Sequence, residues 1–352
     1  MEQSHDLSAV LDLIIRPAFA VSNGIIQHCN LAARQYLICA DTPVDTLLET
    51  GSDEYAALTD GSLYLTLQLQ GHIFGATVSR MSGFDVFVLD RDDDQPQLQA
   101  LALAAKELRG PLSDLMVAAN RLSPEEDHDN AAQQLLQRSL HQMLRLVGNM
   151  SDAARYHEQS LSHQQLHDIP ALIGEIFEKA AVLAAHANVS LRFTNCPQSV
   201  VALADPEKLE RAIYNILSNA IKFSEPGSTV AATLACRGNK LYLTVSDSGR
   251  GIPNEMLGNV FSRYLRQPGI EESRQGIGLG MLMIRSAASA HGGTVLIEKG
   301  SESGTRLTMT IAIRKGTQSS LASPKLRIDY AGGSDHGLIE LADVLPPSAF
   351  EV

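Results

Sequence analysis

Clustered positive charge is what this chain of 352 residues conspicuously lacks. Its 28 Lys and Arg stand against 40 Asp and Glu, a formal net charge of −12. That balance excludes nucleic acid as the main partner, because a polyphosphate backbone is held by grouped cations. A single nucleotide is not excluded, since its site needs only local groups. Cysteine is scarce as well. Cys29, Cys39, Cys196 and Cys236 lie far apart without a CxxC pair, which argues for thiols in a reducing compartment and against zinc or a disulfide framework. Long hydrophobic runs are missing too. "LDLIIRPAFAV" is broken by Arg16-Pro17 and is too short to span a bilayer, and "MEQSHDLSAV" is polar and acidic where a signal peptide would be apolar. The expectation is a cytoplasmic chain with no membrane segment. A GK[ST] sequence is absent, so there is no P-loop, and the glycines of "GIGLG" lack the leading strand and third-glycine spacing of a dinucleotide fingerprint.

What is present describes a globular protein of two or three domains: 44% hydrophobic and 19% charged residues. Residues 1–94 read as a small α/β unit. "AFAVSNGIIQHCN" is strand, Asn-Gly turn, strand, and Asn30 then opens a short helix, "NLAARQYLI". "SLYLTLQLQ", "IFGATVSRM" and "FDVFVLD" are further strands. This order resembles a PAS sensor domain. His28, His72 and Cys29 read as ordinary residues, not cofactor ligands.

The acidic, proline-containing "RDDDQPQ" reads as a linker. Beyond it Leu98, Leu101, Ala105, Leu108, Leu112, Leu115, Ala119 and Leu122 alternate at spacings of 3 and 4, a heptad seam. After "SPEEDHDN" the rhythm resumes at Ala132, Leu136, Ser139, Met143, Leu146, Met150 and Ala153. Two such helices form an antiparallel hairpin over 95–160. One hairpin buries both seams poorly, so a dimeric four-helix bundle, and hence a homodimer, is expected. Pro111 kinks the first helix, and Lys106 lies beside the seam, facing solvent. His141 falls between seam positions and reads as a surface residue.

Residues 161–315 carry the chemistry. "DPEKLERAIYNILSNAIKFS" starts with Asp205 as N-cap and Pro206 behind it. Asn215, Asn219 and Lys222 recur at i, i+4 and i+7, on one helix face. By themselves they fit a polar surface stripe as well as a metal and phosphate site. In "KLYLTVSDSGRGIP", Leu241, Leu243 and Val245 alternate inward and Asp247 falls in the same phase. A carboxylate carried to the core side needs a donor partner, and Gly249 and Gly251 let a backbone approach closely. "GIGLG" leads into an apolar helix, a cradle suited to phosphate. "SGTRLTMTIAI" ends the region as a turn and strand.

Taken in order, "NILSNAIKFS", "DSGRGIP", "VFSRYL", "GIGLG" and "SGTRLTMTI" resemble the ATP-binding domain of sensor histidine kinases and their gyrase, Hsp90 and MutL relatives, a two-layer α/β sandwich of the GHKL (Bergerat) type. The resemblance implies ATP and Mg²⁺ as cofactors. It implies that Asn215 holds Mg²⁺, that Asn219 and Lys222 line the phosphates, and that Asp247 accepts from the adenine amino group. It places Gly249 and Gly251 beside the base, Phe261 and Tyr264 at the lid, Gly276, Gly278 and Gly280 over the phosphates, and Thr305 on the adenine side. Asn215 stands where the gyrase-type relatives carry a water-activating glutamate, which points to the kinase branch.

The hairpin is also similar to that family, whose first helix carries S-H-E-L-R-T-P-L. Here the run is Ala105-Lys106-Glu107-Leu108-Arg109-Gly110-Pro111-Leu112. The acidic neighbour Glu107 remains, the acceptor histidine is Lys106, and the position that orients water for phosphate removal is Gly110. An exposed lysine, with a pKa of about 10.4, is nearly all ammonium and has no free lone pair at neutral pH. The expectation is a multidomain α+β signalling protein that binds Mg-ATP but does not autophosphorylate at the usual site. It would pair with a response-regulator receiver domain or a partner kinase. The alternatives are a kinase using another acceptor or a partner protein, and an ATP-dependent switch or slow ATPase. Residues 316–352 read as a linker and a tail, with "GLIELADVL" as a short amphipathic helix of open role.

Overall fold

The computed structural model of the chain describes residues 11–81, 83–90, 127–154, 165–257, 260–261, 279–300, 303–315 and 335–350, with positions 104, 105, 108, 112, 115, 116 and 119 of the first hairpin helix. Strands β1 (Ala18–Ser22) and β2 (Ile25–Cys29) form the Asn-Gly hairpin. Asn23 and Gly24 both take positive φ, 53° and 75°, the geometry a right-twisted two-residue turn demands. Asn30 caps α1 (Leu31–Arg34) through Oδ1, which accepts from the amides of Ala33 and Ala18, while Nδ2 donates to the carbonyls of Ile14 and Arg16. This buried amide therefore ties the segment before β1 to the helix after β2.

Helix α2 (Ser52–Ala57) and strands β3 (Ser62–Leu69), β4 (His72–Met81) and β5 (Phe84–Leu89) complete the first unit, with sheet order β2-β1-β5-β4-β3. Its core gathers Ile26, Leu63, Leu65, Leu67 and Val78 around Phe19 and Phe87, whose rings stack at 4.7 Å.

The second unit is built from β6 (Gln165–Asp168), α4 (Ile169–His186), β7 (Ser190–Thr194), β8 (Val201–Ala204), α5 (Pro206–Phe223), β9 (Thr229–Arg237) and β10 (Lys240–Ser246). It continues with α6 (Asn254–Leu257), α7 (Gly280–Ala290), β11 (Val295–Lys299) and β12 (Thr305–Ala312). The sheet β11-β12-β10-β9-β7 packs against α4, α5 and α7. Along β10, Leu241, Leu243 and Val245 are buried and the residues between them are not, as period-2 alternation requires. Asp205 caps α5, its side chain accepting from the Lys208 amide at 3.2 Å, and Pro206 opens the helix.

The two units share one ten-stranded sheet, which the sequence did not announce. Edge strand β3 pairs antiparallel with edge strand β11, Tyr64 opposite Val295 and Ser62 opposite Ile297. Joining two edges satisfies both rows of backbone groups at once. At Gly61 a Cβ would fall 2.2 Å from the Ile297 carbonyl oxygen, so only glycine admits this approach. The Lys240 ammonium meets Glu54 at 2.8 Å, and the buried Arg285 lies over the Tyr64 ring and pairs with Asp90 at 3.0 Å.

Helix α3 (Asp127–Ala154) follows, and its burial corrects one expectation, that of His141. Leu136 and Met143, on the expected seam, are 39% and 38% exposed. The covered face is instead Gln137, Leu140, His141, Leu144, Arg145 and Val147. His141, expected at the surface, is buried, its Nδ1 lies 2.7 Å from the Gln137 carbonyl, and burial lowers its pKa. On the first helix Ala105, Leu112, Met116 and Ala119 pack against Leu140, Leu144 and Val147. Leu108 and Leu115, alternate members of the same seam, are about half exposed. Lys106, Glu107, Gly110 and Pro111 lie outside the described residues. The tail does form a short helix, α8 (His336–Glu340), followed by turns and a 3₁₀ segment, Pro347–Phe350. Among the described residues no helix is long and apolar enough to cross a membrane.

Candidate functional site

The site lies between the end of β10 and α5. Period-2 phasing carries Asp247 out of the sheet toward the helix layer. Its Oδ1 accepts from the Gly249 amide at 2.9 Å and from the Thr305 amide at 3.1 Å, and its own amide donates to the Thr305 carbonyl at 3.0 Å. A Cβ on Gly249 would meet the Phe223 carbonyl oxygen at 2.1 Å, and one on Gly304 the Asp247 carbonyl oxygen at 2.2 Å. Both glycines are therefore obligatory where β10, α5 and β12 converge. Gly251, at φ 69°, lies against Gly304. Burial raises the Asp247 pKa, and the two amide donors only partly offset it. A half-buried carboxylate held this way suits a neutral ligand that donates a hydrogen bond. An exocyclic amine of a purine is such a donor.

The other end of the site is the polar face of α5. Asn215 is 2% exposed, and its Nδ2 donates back to the Arg211 carbonyl at 2.8 Å, which turns Oδ1 outward. Asn219 and Lys222 follow on the same face, half-buried, with the Lys222 ammonium 5.6 Å from the Phe223 ring centroid. At Gly280, where α7 begins, a Cβ would come within 2.8 Å of Asn215 Oδ1. The glycine thus keeps open the space in front of the carboxamide oxygen. Among the described residues no trio of His, Cys, Asp or Glu gathers to hold a metal. A hard cation here would rely on a carboxamide oxygen together with phosphate and water oxygens, which suits magnesium.

The structure brings Asp247, Gly249, Gly251 and Thr305 together at the end of β10, and separately sets Gly280 against Asn215, with Asn219 and Lys222 farther along the same helix. Phe261 is buried, its ring 5.8 Å from Tyr64 of β3. Ser62 of β3 reinforces that contact by donating to the Leu257 carbonyl. Tyr264, Gly276 and Gly278 lie outside the described residues. Sequence reasoning missed Gly304, whose signal was its place in the "SGTR" turn. It also missed Arg145, which had no signal because it reaches the site from α3. The Arg145 Nη2 donates to Asn215 Oδ1 at 3.4 Å, while the same guanidinium pairs with Asp343 at 2.6 Å and Glu340 at 3.6 Å.

Sheet, helix layer and glycine-bounded carboxylate together define an ATPase-type nucleotide site. Residues 204–315 match the family described as "Histidine kinase-, DNA gyrase B-, and HSP90-like ATPase". Similar proteins include the adaptive-response sensory kinase SasA of Synechococcus sp. (strain CC9902), 27% identical over 231 residues, 65% of this chain and 60% of that protein. The histidine protein kinase DivJ of Caulobacter vibrioides is 28% identical over 62% of this chain and 40% of its own. Among solved structures, full-length ShkA in complex with AMPPNP covers 62% of this chain and 46% of that one, at 21% identity and a TM-score of 0.49. The family match is confined to residues 204–315, and the match to SasA spans three fifths of that protein's length.

Proposed function

We propose that this chain binds Mg-ATP between β10 and α5 and acts as a sensor-kinase-like component of two-component signalling. Its helical hairpin has lost the usual phosphoacceptor. The observation that carries the nucleotide reading is Asp247, held by the Gly249 and Thr305 amides between glycines no other residue could replace. In this reading Asp247 orients the base, Asn219 and Lys222 face the phosphates, and Asn215 holds magnesium, which when bound offsets phosphate charge. Residues 1–94 act as a PAS-like input unit. The exposed stripe of Leu108, Leu115, Leu136 and Met143 is covered by a second copy in a four-helix bundle. A receiver domain or a partner kinase is the downstream partner.

Lys106 and Gly110 replace the acceptor and the water-orienting residue of the resembling family. His141 offers no ready substitute, because it is buried with Nδ1 against a backbone carbonyl. Incubation with γ-labelled ATP tests the reading. The expected result is nucleotide binding, no acid-labile label on the wild type, and label on Lys106→His combined with Arg145→Gln, which frees the Asn215 carboxamide oxygen. Acid-labile label on the wild type would contradict the lost-acceptor reading and favour a kinase with another acceptor. Phosphate release without label on either form would favour a slow ATPase.

A further inference from the structure

Segment 335–350 bridges two cores. Ile339 packs into the hairpin cluster with Ala105, Leu112 and Leu144, whereas Leu341, Ala342, Leu345 and Phe350 belong to the core of the ATPase unit. Side chains of α3 grip the backbone between them: Arg138 and Gln142 both donate to the Ala342 carbonyl, at 3.4 and 3.3 Å. The Phe350 ring lies 5.0 Å from that of His141. The segment is thus a built occupant of the groove between α3 and α5.

Its charged groups do something more specific. Glu340 and Asp343 both pair with the buried Arg145 guanidinium, and that guanidinium donates to Asn215 Oδ1. Arg211 of α5 pairs with Asp152 of α3, and His336 with Glu210 and Glu340, so the cluster also clamps α3 onto α5. A carboxamide oxygen that accepts from a guanidinium has one of its two lone pairs turned from a metal. A fixed positive charge on it further disfavours a divalent cation. Without Glu340 and Asp343 a guanidinium at that depth would lose its counter-ions and be driven toward water.

We propose that segment 335–350 is an intramolecular stopper. By holding Arg145 on Asn215 it competes with magnesium and nucleotide phosphates, and its release opens the phosphate end of the site. The inference rests on the assignment of Asn215 as the magnesium residue.

The test uses the full chain with Leu341→Asp and Leu345→Asp together, which place charge where both leucines are fully buried and so expel the segment. A fluorescent ATP analogue is titrated with and without Mg²⁺. The expected result is affinity with Mg²⁺ about tenfold or more above wild type, returned to the wild-type value by a synthetic peptide of residues 335–350. Arg145→Gln, which leaves the segment in place, is expected to give the same rise and guards against misfolding of the double variant, monitored by circular dichroism. Equal affinity in wild type and both variants overturns the stopper while leaving the ATP site standing. Weaker binding in both variants makes Arg145 and the segment part of the site and also overturns it. Nucleotide bound by no form overturns the ATP reading and the stopper together.

Discussion

The two ends of the candidate site are built in opposite ways. At the base end Asp247 is held by backbone amides of its own loop and of β12, and every neighbour is contributed by the ATPase sheet and α5. At the phosphate end Asn215 is engaged by Arg145 from α3, itself held by Glu340 and Asp343 from the far end of the described chain. The first end is local and rigid, made of glycines that admit no Cβ. The second depends on three distant segments meeting. The difference teaches that a site can be complete in residues and still be set by whatever packs on one of its ends.

Substitutions at the base end have the largest expected effect. Asp247→Asn removes the negative acceptor and places an amide donor against a donating ligand, so ATP affinity falls by about a hundredfold in a titration. The same change is expected to stabilise the empty protein. Burial raises the Asp247 pKa, so its ionised form is a cost above that pKa, and a neutral isostere relieves it. A gain of roughly 2 °C in Tm is expected by calorimetry. A fall in Tm together with retained binding would contradict the account of this end.

Two buried histidines respond to pH with opposite sign. His291, behind α5, is fully buried and pushed down to about 4 by burial, while its Nε2 accepts from the Asp205 amide at 3.0 Å. Its contribution is present above pH ~6.5 and is lost as pH falls toward 4. His336, in the stopper, has the opposite sign. Burial alone would lower it, but Glu210 and Glu340 outweigh burial and lift it to about 9. Asp335, Asp343, Arg145, Arg211, Asp152 and Tyr214 complete the charged and titratable surroundings contributed by α3, α5 and the segment itself. This contribution is full below pH ~6.5 and is lost as pH rises through about 9. Stability followed against pH should therefore fall on both sides, by on the order of 3 kcal/mol for each histidine across its full window. His291→Gln should flatten only the acid limb and His336→Gln only the alkaline one. A profile unchanged by either substitution would remove these assignments.

The base end was legible in the sequence because its signals are local. The alternation Leu241-Leu243-Val245-Asp247 and the glycines after it state both the strand and the close approach, and the Asp205-Pro206 start states where α5 begins. The helix face of Asn215, Asn219 and Lys222 was legible as an i, i+4, i+7 stripe and took its phosphate role only from the family resemblance, while nothing local to Arg145 tied it to them. The α3 seam named only one of two stripes. Two apolar stripes run along that helix, and the one with stricter heptad spacing, through Leu136 and Met143, is the one left exposed within the chain. The stripe through Leu140, Leu144 and Val147 is covered, and it is interrupted by Gln137, His141 and Arg145, which find partners only in the folded chain. The β3–β11 junction left no pattern at all, because any two edge strands of matching length can pair.

The proposed ATP site has a base end that is ready and a phosphate end that is closed in the resting chain. The most direct measurement is the affinity of the wild-type chain for ATP with and without Mg²⁺. The account predicts measurable binding that changes by no more than about threefold when Mg²⁺ is added. Binding that strengthens by about tenfold or more with Mg²⁺ in the unmodified chain, or no binding under either condition, would contradict it.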